Sequence, residues 1–119
     1  MSPIREKSFS FAVKIVKFVR WLKEKTNNYE LASQLLRSGT SIGANVAEAQ
    51  SAQSKKDFIS KMYIAFKEVN EAVYWLQLLR EAGIIREDIA DELLKDATEI
   101  KKILASIIKS AKENIEKKT

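Results

Sequence analysis

From Phe11 onward the apolar residues Phe11, Ala12, Ile15, Phe18, Val19 and Leu22 recur at intervals of three and four, the spacing that lines one face of an α-helix. A first helix is therefore expected over residues 8–25, closed by the polar run Thr26-Asn27-Asn28. Leu31, Leu35, Leu36, Ile42 and Val46 carry a weaker stripe and predict a second helix over 29–49, ending before Gln50-Ser51-Ala52-Gln53. In the third segment Phe58, Met62, Ala65, Val69, Ala72, Leu76 and Leu79 alternate four and three without a fault, which marks a core-facing helix that ends at Arg80. Ser54 and Asp57, three residues apart, are placed to satisfy free backbone N–H groups at its start, and Gly83 suits a left-handed turn after its end. A fourth stripe, Ile89, Leu93, Ala97, Ile100, Leu104, Ile107, Ala111 and Ile115, predicts a helix over 86–117. Four amphipathic helices joined by short loops bury their stripes together, so the expected fold is all-α, an antiparallel up-and-down four-helix bundle.

Composition sharpens this picture. One Pro and three Gly in 119 residues leave little turn chemistry for hairpins, which favours long helices. The length suits one domain spanning 1–119, and 45% hydrophobic residues supply its core. With no Cys, disulfides and thiolate metal sites are excluded. The first residues lack the apolar run of a signal peptide, and no stretch approaches a membrane span, so the expectation is a cytoplasmic protein without a membrane partner.

The absent residues bear on chemistry. Zero His and zero Cys remove the commonest general base, the thiol nucleophile and most transition-metal ligands. A di-iron bundle needs Glu-x-x-His pairs, which this chain cannot supply. Gly39 and Gly43 lie in a helical segment without the Lys-Ser or Lys-Thr of a phosphate loop. No catalytic residue, cofactor, metal or small-molecule substrate is expected, and the chain reads as a non-enzyme.

The run Arg37-Ser-Gly-Thr-Ser-Ile-Gly-Ala-Asn-Val-Ala-Glu48 is unusual because small and polar residues dominate a helix. Arg37, Ser41, Asn45 and Glu48, spaced four, four and three, share one face, while Gly39 and Gly43 let another backbone come close. Two readings stay open. In one, the face is a polar network inside the bundle, with Arg37 paired to Glu48, or to Glu68 or Glu71 of the third helix, because an unpaired buried charge is costly. In the other it contacts a ligand or a second subunit.

This run, followed by Asp57-Phe58 and by Glu71-Ala-Val-Tyr-Trp-Leu76, resembles the bacterial four-helix-bundle family named for 23S rRNA intervening sequences, over roughly residues 8–110. The resemblance implies an up-and-down bundle, a ring-shaped homo-oligomer of five copies, a role in binding nucleic acid, and no catalysis. Where the family closes its motif with Glu-Gly, this chain has Glu48-Ala49, so the turn after the second helix is expected to be built differently. A more distant relative in architecture is the accessory protein of diversity-generating retroelements, which assists a reverse transcriptase. A structural or adaptor bundle with a protein partner is therefore the alternative function.

Charge supplies a separate line. Residues 1–25 hold seven Lys or Arg against two Glu, a surplus equal to the net +5 of the whole chain. Lys7, Lys14, Lys17 and Arg20, with Trp21 among them, fall away from the apolar stripe, and Lys102, Lys109 and Lys112 give the fourth helix a basic carboxyl half. In an antiparallel bundle the two sets are expected to form one basic surface for RNA or DNA, on which Trp21 has two open readings, a platform for base stacking and, the commoner role of an aromatic at a polar-face position, a contact with a second subunit. The competing reading is a solvated face, since acids early and bases late in a helix also complement its dipole.

Overall fold

The computed structural model describes residues 2–118, which form α1 (Pro3–Lys25), α2 (Tyr29–Ala49), α3 (Lys55–Glu81) and α4 (Glu87–Lys118). Each helix packs on its neighbours in sequence, and α4 returns to α1, the loosest of the four pairings. Registers fix the directions. Gly39 and Gly43 of α2 approach Ile15 and Ser8 of α1, Arg37 and Glu48 of α2 meet Glu71 and Lys61 of α3, and Arg80 and Phe66 of α3 meet Asp91 and Lys101 of α4. Numbers that rise on one helix fall on its neighbour, so all three consecutive pairs are antiparallel. The result is an up-and-down bundle, elongated to 53 × 23 × 22 Å, with α1 diagonal to α3.

The core runs the length of the bundle and includes Phe11, Ile15 and Leu22 of α1, Leu35 and Ile42 of α2, Met62, Leu76 and Leu79 of α3, and Ile100 and Leu104 of α4. Two boundaries of the apolar pattern shift. The first helix begins at Pro3 rather than near Ser8: Ser2 caps it by accepting from the Arg5 N–H at 3.4 Å, Pro3 occupies the first turn, and Ile4 and Ser8 extend the buried stripe one turn earlier. Pro fits there because its missing N–H has no helical partner to lose. On α4 the buried seam passes through Leu104 to Ile108, leaving Ile107 half-exposed. A strict seven-residue repeat drifts about 20° per heptad on a straight helix, and over 32 residues that drift moves the seam to the next position.

The expected caps of α3 form. The Asp57 N–H donates to Ser54 Oγ at 3.0 Å, and Asp57 Oδ2 accepts from the Gln53 N–H at 3.3 Å. At the other end Gly83 has φ +75°, its N–H reaching the Arg80 carbonyl while the Ile84 N–H reaches the Leu79 carbonyl, both at 3.0 Å. This pairing satisfies the last carbonyls of a helix. After α2 no such turn exists: Gln50, Ser51 and Ala52 donate in succession to the carbonyls of Ala47, Glu48 and Ala49 at 3.0–3.2 Å, and Gln50 stays right-handed. The helix tightens into i→i+3 bonds, so Ala49 needs no left-handed backbone and instead packs into the core at 2% exposure.

Candidate nucleic-acid interface

The lysines of α1 meet α4 at its acidic half. Lys7 donates to Glu99, and Lys14 Nζ donates to Asp96 Oδ2 at 2.7 Å, an interaction that raises the Lys14 pKa above that of a free lysine. These pairs bridge the loose α1–α4 seam over a groove of about 370 Å³ whose apolar part is Pro3, Phe11 and Ile100. The expected single basic surface is therefore interrupted. Two carboxylates stand between the basic residues of α1 and those of α4, because residues 96–99, and not the carboxyl half of α4, lie level with residues 7–14. Lys17 and Arg20 are exposed. Trp21 is 40% exposed but stacks on Phe18 with ring centroids 5.9 Å apart, so one ring face is occupied by its own helix.

The basic residues of α4 are differently placed. Lys95, Lys102 and Lys109 recur at sevens on its outward side and are exposed. No carboxylate among the described residues pairs with these three or with Lys101 and Lys112. Asp91, well spaced for an intrahelical pair with Lys95, instead accepts from Arg80 of α3 at 2.8 Å. Lys101 lies 5.8 Å from the Phe66 ring centroid and Lys112 5.9 Å from that of Tyr63; such contacts contribute only about 0.5–1 kcal/mol at exposed positions. Tyr63, Phe66 and Lys101 are absent from the basic surface read in the sequence. Spacing shows that Tyr63 and Phe66 share a side of α3, but which lysines face them depends on the α3–α4 register.

The face of Arg37, Ser41, Asn45 and Glu48 turns out to lie on the surface. The Arg37 side chain is 55% exposed, donates to Glu71 and lies 3.7 Å from Glu68, and this arrangement raises its pKa further. Glu71 also accepts from the Trp75 Nε1–H at 3.3 Å. Ser41 and Asn45 donate to the carbonyls of Arg37 and Ser41 on their own helix, and Glu48 faces Lys61 at 3.8 Å. The buried-network reading is corrected accordingly: the ion pair bridges α2 and α3 along their rim, and the helix turns its glycines, not its polar face, toward α1.

One carboxylate in this rim is strained. Glu68 Oε2 is buried without a hydrogen-bond partner, and burial raises the Glu68 pKa above its usual 4.5, opposed by Arg37 and reinforced by Glu71. A carboxyl whose pKa is higher folded than unfolded binds more protons in the folded state, so its contribution to stability falls as pH rises through that folded value. Glu68→Gln is accordingly expected to stabilise the protein at pH 7 and to flatten the fall of stability as pH rises from 4.5 through the raised folded-state value. Urea titrations at several pH values test this; an unchanged profile, or a loss of stability at pH 7, would show that the ionised carboxylate is favourable where it stands.

Among the described residues no group of three or more carboxylates is arranged to hold a metal ion, and no helix is long and apolar enough to cross a membrane. The profile of the 23S rRNA-intervening sequence protein family matches residues 2–106. The chain belongs to that family. A crystal structure of a protein of unknown function from the S23 ribosomal protein family of Bacteroides thetaiotaomicron VPI-5482 is similar to this family member throughout. Identity is 47%, the TM-score is 0.88, and the match covers 89% of this chain and 98% of that one. No curated protein matches this family member.

Proposed function

We propose that this chain is a non-catalytic, self-associating bundle that holds RNA or DNA against the outward lysines of α4. The observation that carries the reading is the row Lys95, Lys102 and Lys109, exposed and free of ion pairs among the described residues, because a lysine left without a carboxylate is available to a phosphate. Lys7 and Lys14, already bound to acids, contribute less, while Lys17 and Arg20 remain available on α1. Contacts of this kind are salt-sensitive and largely independent of sequence.

Self-association is supported by apolar side chains left on two diagonal helices. Phe9, 67% exposed, with Val13 and Val16 at spacings of four and three, forms a stripe on the outer side of α1, and Ile64, Tyr74 and Leu78 are exposed on α3. Two different patches on opposite corners suit head-to-tail contacts, which close into a ring when the rotation permits. The family resemblance makes five copies the expected number.

Light scattering, coupled to titration of labelled single-stranded and duplex RNA and DNA at low salt, tests both parts. A mass that is a defined multiple of the 13.6 kDa chain, falling to that of a monomer in Phe9→Glu, is the expected result. A wild-type monomer would sink the ring. Absence of nucleic-acid binding at low salt would leave the apolar stripes as the better guide, and with them an adaptor that binds a protein partner.

A further inference from the structure

Between α3 and α4 runs a second groove, of about 330 Å³, that differs in kind from the salt-bridged α1–α4 seam. Its floor is apolar, made by Ala105 and Ile108, and one wall carries the Tyr63 and Phe66 rings, stacked with centroids 6.1 Å apart and 25° between their planes. Tyr63 is 48% exposed. Around the rings stand three cations: Lys101 over Phe66, Lys112 over Tyr63, and Lys109 on the groove wall. Like charges repel, and these three have no carboxylate among the described residues to hold them together. Lysine stems do cover apolar surface, but that alone asks for no aromatic pair at the mouth of the groove.

We propose that this groove is a subsite for an unpaired base of single-stranded nucleic acid, the base stacking on the half-exposed Tyr63 ring in place of the Lys112 ammonium that lies over it, while Lys101, Lys109 and the displaced Lys112 take the flanking phosphates. The occupant must be flat, apolar on its faces and anionic at its edges, and a nucleotide in a single strand is all three. A duplex keeps its bases in the stack and offers this groove only phosphates. Lys109 belongs both to the groove wall and to the outward row with Lys102, so a strand in the groove continues directly along α4. The subsite rests on the nucleic-acid reading above and adds to it a strand preference and an aromatic contact.

The test is fluorescence anisotropy of a labelled single-stranded RNA dodecamer, and of the same sequence as a duplex, against wild type, Tyr63→Ala, Tyr63→Phe and the pair Lys95→Gln/Lys102→Gln. Tyr63→Ala is expected to weaken single-strand binding by roughly five-fold or more, the loss of one base stack, and to leave duplex binding within about two-fold, given that base stacking needs an unpaired base. Tyr63→Phe keeps the ring and is expected to retain single-strand affinity. If Tyr63→Ala binds the single strand as wild type does while Lys95→Gln/Lys102→Gln binds both RNAs less well, the groove is not a subsite although the basic row stands. If wild type binds neither RNA, both readings fall together. If Tyr63→Ala instead changes the molar mass in light scattering, the groove seats a second copy of the chain, and the proposal is overturned.

Discussion

Gly39→Val is expected to destabilise the protein by about 3 kcal/mol, the upper end of overpacking in a filled core, and to lower its Tm by roughly 10 °C or more at this chain length. Gly39 is buried where α2 crosses α1, and a Cβ built there would lie 2.9 Å from Ile15 Cγ2, 3.0 Å from Cγ1 and 3.3 Å from Cβ. Ile15 is fully buried and β-branched within a helix, so it has essentially one rotamer and cannot turn aside. The helices must separate, which loosens the contacts above and below. Gly39→Ala provides the graded control: its methyl meets the same atoms, but alanine recovers about 1 kcal/mol of helix propensity, so a smaller net loss is expected. Gly43→Ala is expected to be near neutral, because its Cβ would sit 3.3 Å from the Ser8 carbonyl oxygen, tight but not overlapping. Thermal melts of the three variants give the order. If Gly39→Val melts with wild type, α1 and α2 do not approach as closely as described.

The second large effect concerns binding. If a single strand of RNA meets Lys101, Lys102, Lys109 and Lys112, four phosphate contacts predict a log–log salt slope of roughly −3, and raising salt from about 50 to 200 mM is then expected to weaken binding on the order of 50-fold. Each Lys→Gln change in the set should flatten that slope by roughly 0.7. The comparison with Lys7→Gln and Lys14→Gln is decisive for the surface: those lysines already hold Glu99 and Asp96, so removing them is expected to leave the slope nearly unchanged. A slope that responds equally to α1 and α4 lysines would mean that the carboxylates of the seam yield to phosphate and that the two helices act as one surface.

Much of the fold was legible in the residues themselves. Stripes such as Met62, Ala65, Val69, Ala72, Leu76 and Leu79 are all buried as the spacing requires, because the 3.6-residue period of a helix is a local property of the backbone. Caps are equally local: Ser54 and Gly83 perform at the ends of α3 the roles their chemistry allows. Of the partners offered for Arg37, it meets Glu71 and Glu68 on α3 and not Glu48, which faces Lys61, and it does so at the surface. The start of α1 escaped because Ile4 is separated from Phe11 by the polar Ser8, which is nonetheless buried and donates to the Arg5 carbonyl at 3.3 Å. A serine that back-bonds to its own helix can occupy an apolar stripe, and composition alone does not reveal that it does so.

The amino-acid sequence by itself determined the four helices, their buried faces and a place for close backbone approach at Gly39 and Gly43, while the structure shows that α1 is the neighbour there. Beyond the Arg37 pairing, tertiary structure decided which charges meet. Whether Lys14 faces Asp96 or a lysine of α4, and whether Lys101 faces Phe66 or solvent, depends on how far one helix is displaced along another. That displacement is set by the packing of the whole core and the lengths of three loops, and a shift of one turn, about 5.4 Å, would exchange partners without altering any local pattern. Stripes report which side of a helix is buried, but the register along its axis emerges only when all four helices are packed together.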